Sequence, residues 1–167
     1  RLKKENKQKI IKISKKIKKL TKKYKVKFII NDDPYLAIKI NADGCHIGQK
    51  DFDPKKARKI LKNKILGITC HNSIKLAKVA IDNKADYLAF GSFYQYKTKK
   101  AKNRADIKIL HLTKKITNIP IVAIGGINSN NYKKLLLNKA NFLAISGYIW
   151  NNKKYKPLES IIKLKWK

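Results

Sequence analysis

The stretch Val26-Lys27-Phe28-Ile29-Ile30-Asn31-Asp32-Asp33-Pro34 decides how this chain folds. Val26 to Ile30 is a short β-rich run, Asn31-Asp32 is polar, and Asp33-Pro34 reads as a helix N-cap followed by proline at the first helical position. The pattern returns further on: Gly44 to Ile47 is a second run, and Asp53-Pro54 in Gln49-Lys50-Asp51-Phe52-Asp53-Pro54 repeats the cap. Outward from these lie further short runs at Ile65 to Ile68, Tyr87 to Phe90, Ile121 to Ile124 and Phe142 to Ile145, each separated by a stretch that reads as helix. Before them, Ile10, Ile13, Ile17, Leu20 and Tyr24 recur at helical spacing in a lysine-rich background, which predicts an amphipathic helix with one apolar stripe. Alternating short buried strands and helices argue for a parallel sheet in an α/β fold.

Three segments resemble one another: Asn41-Ala42-Asp43-Gly44, Lys84-Ala85-Asp86-Tyr87 and Lys139-Ala140-Asn141-Phe142. Each reads as a helix exit leading into a strand, and a βα repeat is the simplest cause. The polar residues Asn31-Asp32, Gln49 to Asp51, Thr69, Thr98-Lys99, Gly125-Gly126 and Ser146-Gly147 all follow the carboxyl ends of strands. A (β/α)₈ barrel collects its chemistry on that one face. An open doubly wound sheet places ligands there too, so both architectures stand at this point.

Acid is scarce here, with 10 acidic against 42 basic residues, so each carboxylate asks for a reason. Capping accounts for Asp33 and Asp53. It leaves Asp32 and Asp51 without a local task, and a pair of oxygen donors at matching strand exits is a candidate Mg²⁺ site. Ile124-Gly125-Gly126-Ile127-Asn128 ends a strand and opens a helix, which suits an anion or simply a tight turn with positive φ. Ile145-Ser146-Gly147 adds a hydroxyl at the next exit. Tyr96-Lys97-Thr98-Lys99-Lys100 reads either as a lysine that closes over an anionic substrate or as a solvated charge run. His71, after Thr69-Cys70, suits acid-base chemistry or a structural hydrogen bond.

A chain of 167 residues corresponds to a single domain spanning 1–167. Its net charge of +32 comes almost wholly from lysine, since only Arg1, Arg58 and Arg104 are arginine. The lysines are spread along the chain among abundant Asn and Ile, the residues of an AT-rich genome. They read as solvated surface giving at most salt-sensitive, unspecific contact with nucleic acid. Cys45 and Cys70 lack CxxC spacing and lie in or beside apolar runs, the setting of small buried thiols. No stretch has the length of a membrane span or the core of a signal peptide, so a cytoplasmic protein without a membrane partner is expected.

In order along the chain, the strand-exit residues resemble the thiamine-phosphate synthase family. Arg1-Leu2-Lys3 looks like the end of that family's Gln-x-Arg-x-Lys, and Asn31-Asp32 like its Asn-Asp. His46-Ile47-Gly48-Gln49-Lys50-Asp51 is similar to His-Leu-Gly-Gln-x-Asp, the most specific of the motifs. Gly67-Ile68-Thr69-Cys70-His71 resembles Gly-Val-Ser-x-His, Thr98-Lys99 the end of Thr-x-Thr-Lys, Val122 to Ile127 the Val-Ala-Ile-Gly-Gly-Ile exit, and Ile145-Ser146 the final Val-Ser.

The resemblance implies a (β/α)₈ barrel, here lacking its first strand, first helix and most of the second strand. It implies a Mg²⁺-dependent transferase that joins an aminopyrimidine methyl diphosphate to a thiazole phosphate. Carried over, Asp32 and Asp51 would hold Mg²⁺. Arg1, Lys3, Asn31, Thr69 and Lys99 would contact the diphosphate, with Arg1, Lys3 and Lys99 as its catalytic cations. Thr98, Gly126, Ile145 and Ser146 would bind the thiazole phosphate, and His71 belongs with these substrate-side positions. The chain departs from the pattern at Gln95 and Tyr96, where Pro and Thr are usual, at Thr69 for serine and at Gly147 for alanine. A thiazole tautomerase of the related subfamily is the alternative, kept open by His71 and opposed by Arg1, Lys3, Asp32 and Asp51. A basic nucleic-acid-binding domain is a further alternative. It calls for basic and aromatic residues clustered on one face, where this chain has acids, glycines and hydroxyls at strand ends.

Overall fold

The structure is a computed structural model that describes residues 5–94 and 104–164. Helices and strands alternate: α1 (Lys7–Lys23), β1 (Ile29–Asn31), α2 (Pro34–Lys39), β2 (Gly44–Ile47), α3 (Pro54–Leu61), β3 (Ile65–His71), α4 (Ile74–Asp82), β4 (Tyr87–Gly91), α5 (Lys108–Lys114), β5 (Ile121–Ile124), α6 (Tyr132–Leu137), β6 (Phe142–Ala144), α7 (Gly147–Trp150) and α8 (Pro157–Ile162). The chain forms two compact units, Arg1–Ile68 with Asn83–Ala85, and Thr69–Asp82 with Asp86–Lys167.

In the first unit β1, β2 and the opening of β3 pair in parallel and in chain order, with Ile30 opposite Cys45 and Cys45 opposite Leu66. Strand residues alternate between two faces. One face carries Ile30, Cys45, Ile47, Leu66 and Ile68, all buried, and packs with Ala37, Ile40, Ala57 and Leu61 of the α2 and α3 segments. The other face carries Asn31, His46 and Gly67 in one register row. In the second unit β4, β5 and β6 repeat the arrangement, parallel and in chain order, with Leu88, Phe90, Ile121 and Ala123 on the buried face. Chain order within each unit is what a barrel requires, and each half of a doubly wound sheet shares it.

Local chemistry explains the handovers. Asp33 Oδ1 accepts from Leu36 N at 2.9 Å and Asp53 Oδ1 from Lys56 N at 2.8 Å, each followed by proline inside the first turn. At the other end of the helices, Asn41, Lys84 and Lys139 take left-handed φ of 52°, 56° and 76°, and the alanine that follows each is buried. Two of these repeats close an identical clasp. Asp43 Oδ2 accepts from Phe28 N at 2.9 Å while Asp43 N donates to Phe28 O at 3.0 Å. Asn141 Oδ1 and N do the same to Ile121, both at 2.9 Å.

The clasp at Asp43 makes stability pH-dependent. Its hydrogen bond from Phe28, then Lys27 and Lys64, hold the carboxyl below the ordinary 3.8 against the opposing effect of burial. A carboxylate depressed on folding contributes stability that is complete above its unfolded pKa and is lost as pH falls through the folded one. Asp43→Asn, which keeps the acceptor as Asn141 does naturally, is therefore expected to flatten the stability curve below about pH 4. Urea unfolding on the acid side of neutrality checks this, and an unchanged acid slope contradicts it.

The amphipathic helix is present, but its buried line differs from the expected stripe. Ser14 is buried, Lys18 Nζ donates to Ile40 O at 3.2 Å, and Ile17, Leu20 and Tyr24 are exposed. Helical periodicity finds an apolar stripe; only packing selects which line of residues the rest of the unit covers. The first strand begins at Ile29 rather than Val26, and Val26 is exposed. Cys45 and Cys70 are fully buried thiols outside any disulfide, as their spacing suggests. No helix among the described residues is long and apolar enough to cross a membrane.

Candidate active site

In the first unit the exits of two paired strands carry the expected acids. Asn31 lies opposite His46, and Asp32 N donates to His46 O at 2.8 Å, so the chain leaves β1 tied to β2. Asp32 then turns with φ 69°, a conformation that Asp tolerates better than most residues. Asp51 is held from its own side: Gly48 N donates to Asp51 Oδ2 at 3.0 Å, and Asp51 N donates to Gly48 O at 3.3 Å. Tyr35 and Phe52, in the segments that follow the two acids, meet edge to face at 5.9 Å between ring centres.

The electrostatics of His46 and Cys45 record both carboxylates. Burial pushes the His46 imidazole below its ordinary range, while Asp32 and Asp51 act in the opposite sense. Burial first, then Asp33, Asp32 and Asp51, push the Cys45 thiol up to about 12. Asp32 and Asp51 thus act on the same imidazole, which stays neutral at neutral pH. No group of three or more His, Cys, Asp or Glu among the described residues is arranged to hold a metal. Two carboxylates without His or Cys are a poor zinc set but fit Mg²⁺, which is commonly held by one or two carboxylates with water and substrate phosphate filling the rest.

Gly48 has a specific reason to be glycine. A Cβ there would lie 2.5 Å from Asp51 Oδ2. Gly48→Ala is expected to swing the Asp51 carboxylate aside and lower turnover about 10-fold to 10²-fold while leaving the thermal midpoint within a few degrees. Steady-state rates beside a melting curve test this; wild-type turnover would show that the Asp51 orientation is immaterial.

The second unit holds Thr69, His71, Gly126, Ile145 and Ser146. Thr69 and His71 lie in the last residues of β3, and His71 turns the chain with φ 52° toward α4, whose first turn is capped by Ser73 Oγ accepting from Leu76 N at 3.2 Å. Gly125 and Gly126 follow β5 with φ of 103° and 63°, so the tight-turn reading of this pair holds. Cβ atoms there would strike Ser92 and the Tyr94 carbonyl. Ile145 and Ser146 follow β6, the parallel neighbour of β5, with Ile124 opposite Ala144. Ser146 is exposed, and its carbonyl accepts from Ile149 N and Trp150 N of α7.

Within the first unit, then, Asn31, Asp32 and Asp51 share one end of the sheet with His46. Within the second, Gly126, Ile145 and Ser146 lie at adjacent exits. Arg1, Lys3, Thr98 and Lys99, with Gln95 and Tyr96, lie outside the described residues. His46 enters the sequence only as part of a motif; its place beside Asn31 follows from strand register. Tyr94 and Asn131, which brace the glycine turn, leave no mark in the sequence, because a tyrosine and an asparagine in polar loops carry no periodic signal.

Comparison with known proteins bears on what this arrangement serves. The family model described as thiamine monophosphate synthase matches residues 1–149. The chain is 72% identical over 165 residues to the thiamine-phosphate synthase of Pelagibacter ubique (strain HTCC1062), covering 99% of this chain and 80% of that protein. It is 43% identical over 128 residues to the thiamine-phosphate synthase of Rhodospirillum centenum, covering 76% of this chain and 62% of the relative's length. Among solved structures, thiamine phosphate pyrophosphorylase from Pyrococcus furiosus superimposes with a TM-score of 0.86 at 25% identity, covering 96% of this chain and 76% of that one. The 3-hexulose-6-phosphate synthase of Salmonella typhimurium, at 19% identity and a TM-score of 0.67, covers 90% of this chain and 77% of its own, a likeness of fold alone.

Proposed function

The chain belongs to the thiamine monophosphate synthase family, a family of transferases with the barrel fold, and on that premise we propose that it joins 4-amino-2-methyl-5-(diphosphooxymethyl)pyrimidine to a thiazole phosphate. The products are thiamine phosphate and pyrophosphate. The carbon–oxygen bond to the diphosphate breaks with its electron pair going to the leaving group, and the thiazole nitrogen supplies the pair for the new carbon–nitrogen bond. Proton transfer to an enzyme base is not required for this exchange.

The observation that carries the reading is the pair Asp32 and Asp51, one at each of two adjacent parallel strand exits and both acting on the neutral His46. We assign them as the residues that would hold Mg²⁺. Mg²⁺ held by these two carboxylates would supply positive charge against the negative charge accumulating on the departing pyrophosphate. Asn31, preceding Asp32, offers an amide to the same diphosphate, and Thr69 a hydroxyl. Arg1, Lys3 and Lys99 supply the cations that any pyrophosphate leaving group calls for. Gly126, Ile145 and Ser146, with Thr98, take the thiazole phosphate, and His71 completes the substrate side.

Incubating the purified protein with both substrates and Mg²⁺ and resolving products by chromatography tests the proposal. Thiamine phosphate and pyrophosphate in equal amounts, abolished by a chelator and restored by Mg²⁺, are the expected outcome. Isomerised thiazole phosphate with no coupled product would support the tautomerase reading instead.

A further inference from the structure

The turn Gly125-Gly126 is clamped by residues outside every motif described so far. Tyr94 N donates to Gly125 O at 3.1 Å, and Asn131 Nδ2 donates to Gly126 O at 3.1 Å. The clamp is itself fixed: Asn131 Oδ1 accepts from Asn128 N at 2.9 Å, and the Tyr94 hydroxyl donates to Asn131 O at 3.3 Å. All of these residues belong to the second unit.

Peptide planarity gives the clamp a consequence. In a trans peptide the N–H points opposite to the carbonyl of the same unit. Holding Gly125 O toward Tyr94 therefore aims the Gly126 N–H the other way, and holding Gly126 O toward Asn131 does the same for the Ile127 N–H. Both residues are glycines at positive φ and, lacking a Cβ, can take many backbone orientations, so the direction of these two donors depends on what grips the carbonyls of their peptide units. Burial supports the grip, since Ile127 and Tyr132, on either side of the Asn128 to Asn131 loop, are buried.

We propose that Asn131 is a positioning residue for the thiazole phosphate, with the Tyr94 hydroxyl as its support: through Gly126 O it sets the direction of the Ile127 N–H donor, beside the Gly126 N–H that the Tyr94 backbone aims, without touching the substrate. This rests on the assignment of Gly126 to the phosphate. Because the clamp acts through the turn, its loss weakens one substrate and spares the other. A purely structural role would lower stability and disturb both.

The test is steady-state kinetics with each substrate varied in turn, joined to calorimetric titration with thiazole phosphate and a melting curve. Asn131→Ala is expected to raise KM for thiazole phosphate about 10-fold, leaving KM for the pyrimidine diphosphate within about two-fold, because one hydrogen bond from a correctly aimed donor is worth about a factor of ten. Asn131→Asp keeps the acceptor for Asn128 N but lacks the donor to Gly126 O. It is expected to match the alanine variant in KM while melting near wild type. Tyr94→Phe, which loses only a hydroxyl, is expected to raise the same KM about three-fold. An unchanged KM for thiazole phosphate in Asn131→Ala, or equal increases for both substrates, overturns the positioning role. A wild-type protein that binds no thiazole phosphate overturns the functional reading first, and the clamp's role with it.

Discussion

Asp32→Asn and Asp51→Asn are each expected to lower turnover by roughly 10²-fold or more, the scale of losing one preorganised electrostatic stabiliser. The two residues follow adjacent strands and act on the same imidazole; Asp32 is tied through its backbone N to His46 O, and Asp51 accepts from Gly48 N, a bond an asparagine oxygen can retain. The fold should therefore survive, with the loss falling on Mg²⁺ dependence: raising Mg²⁺ restores part of the rate in either single variant and little in the double. Asp33 and Asp53 form the internal control. Each caps a helix, so its alanine variant should cost about 1 kcal/mol of stability and affect turnover far less. Wild-type Mg²⁺-dependent turnover in both Asp32→Asn and Asp51→Asn would remove them from the metal site.

The largest expected effect on stability is at Arg58. Its guanidinium donates to three carbonyls: Nη1 to Lys62 O and Lys64 O at 2.6 and 2.9 Å, and Nη2 to Lys84 O at 2.7 Å. These carbonyls belong to the turn leading into β3 and to Lys84, whose φ is 56°. One rigid fork thus ties α3 to its own exit turn and to the reversal at Lys84, 26 residues on. Arg58→Ala is expected to cost about 3 kcal/mol, since charge-assisted bonds are lost together and their acceptors lose partners. For a chain of this size that corresponds to a fall of about 10 °C in the thermal midpoint. Arg58→Lys should recover less than half, because an ammonium keeps the charge but not the fork geometry. A midpoint within a degree or two of wild type in Arg58→Ala would show that water serves those carbonyls as well.

Among 39 lysines and three arginines, nothing local distinguishes Arg58, and this marks the boundary between what sequence and tertiary structure each decide. Asp33-Pro34 and Asp53-Pro54 were legible as helix starts because a cap is a hydrogen bond between residues three apart. The Ala-Asx repeats were legible as strand entries for a similar reason: a left-handed residue, a small buried alanine and a strand follow one another in sequence. Asp32 and Asp51 stood out because the caps left them unexplained, and the ordered motifs around them carried the family likeness. Tertiary structure then settled what these local signals could not. The structural likeness to thiamine phosphate pyrophosphorylase decides for the barrel class, and alternation of strand faces sends His46 to the side of Asn31 while Cys45 enters the core. The buried line of α1 and the grip of Tyr94 and Asn131 on the glycine turn arise from contacts between segments far apart in the chain. Caps and turns are chosen by neighbours within a few residues; faces, registers and clamps are chosen only when distant segments compete to exclude water and satisfy one another's backbone groups.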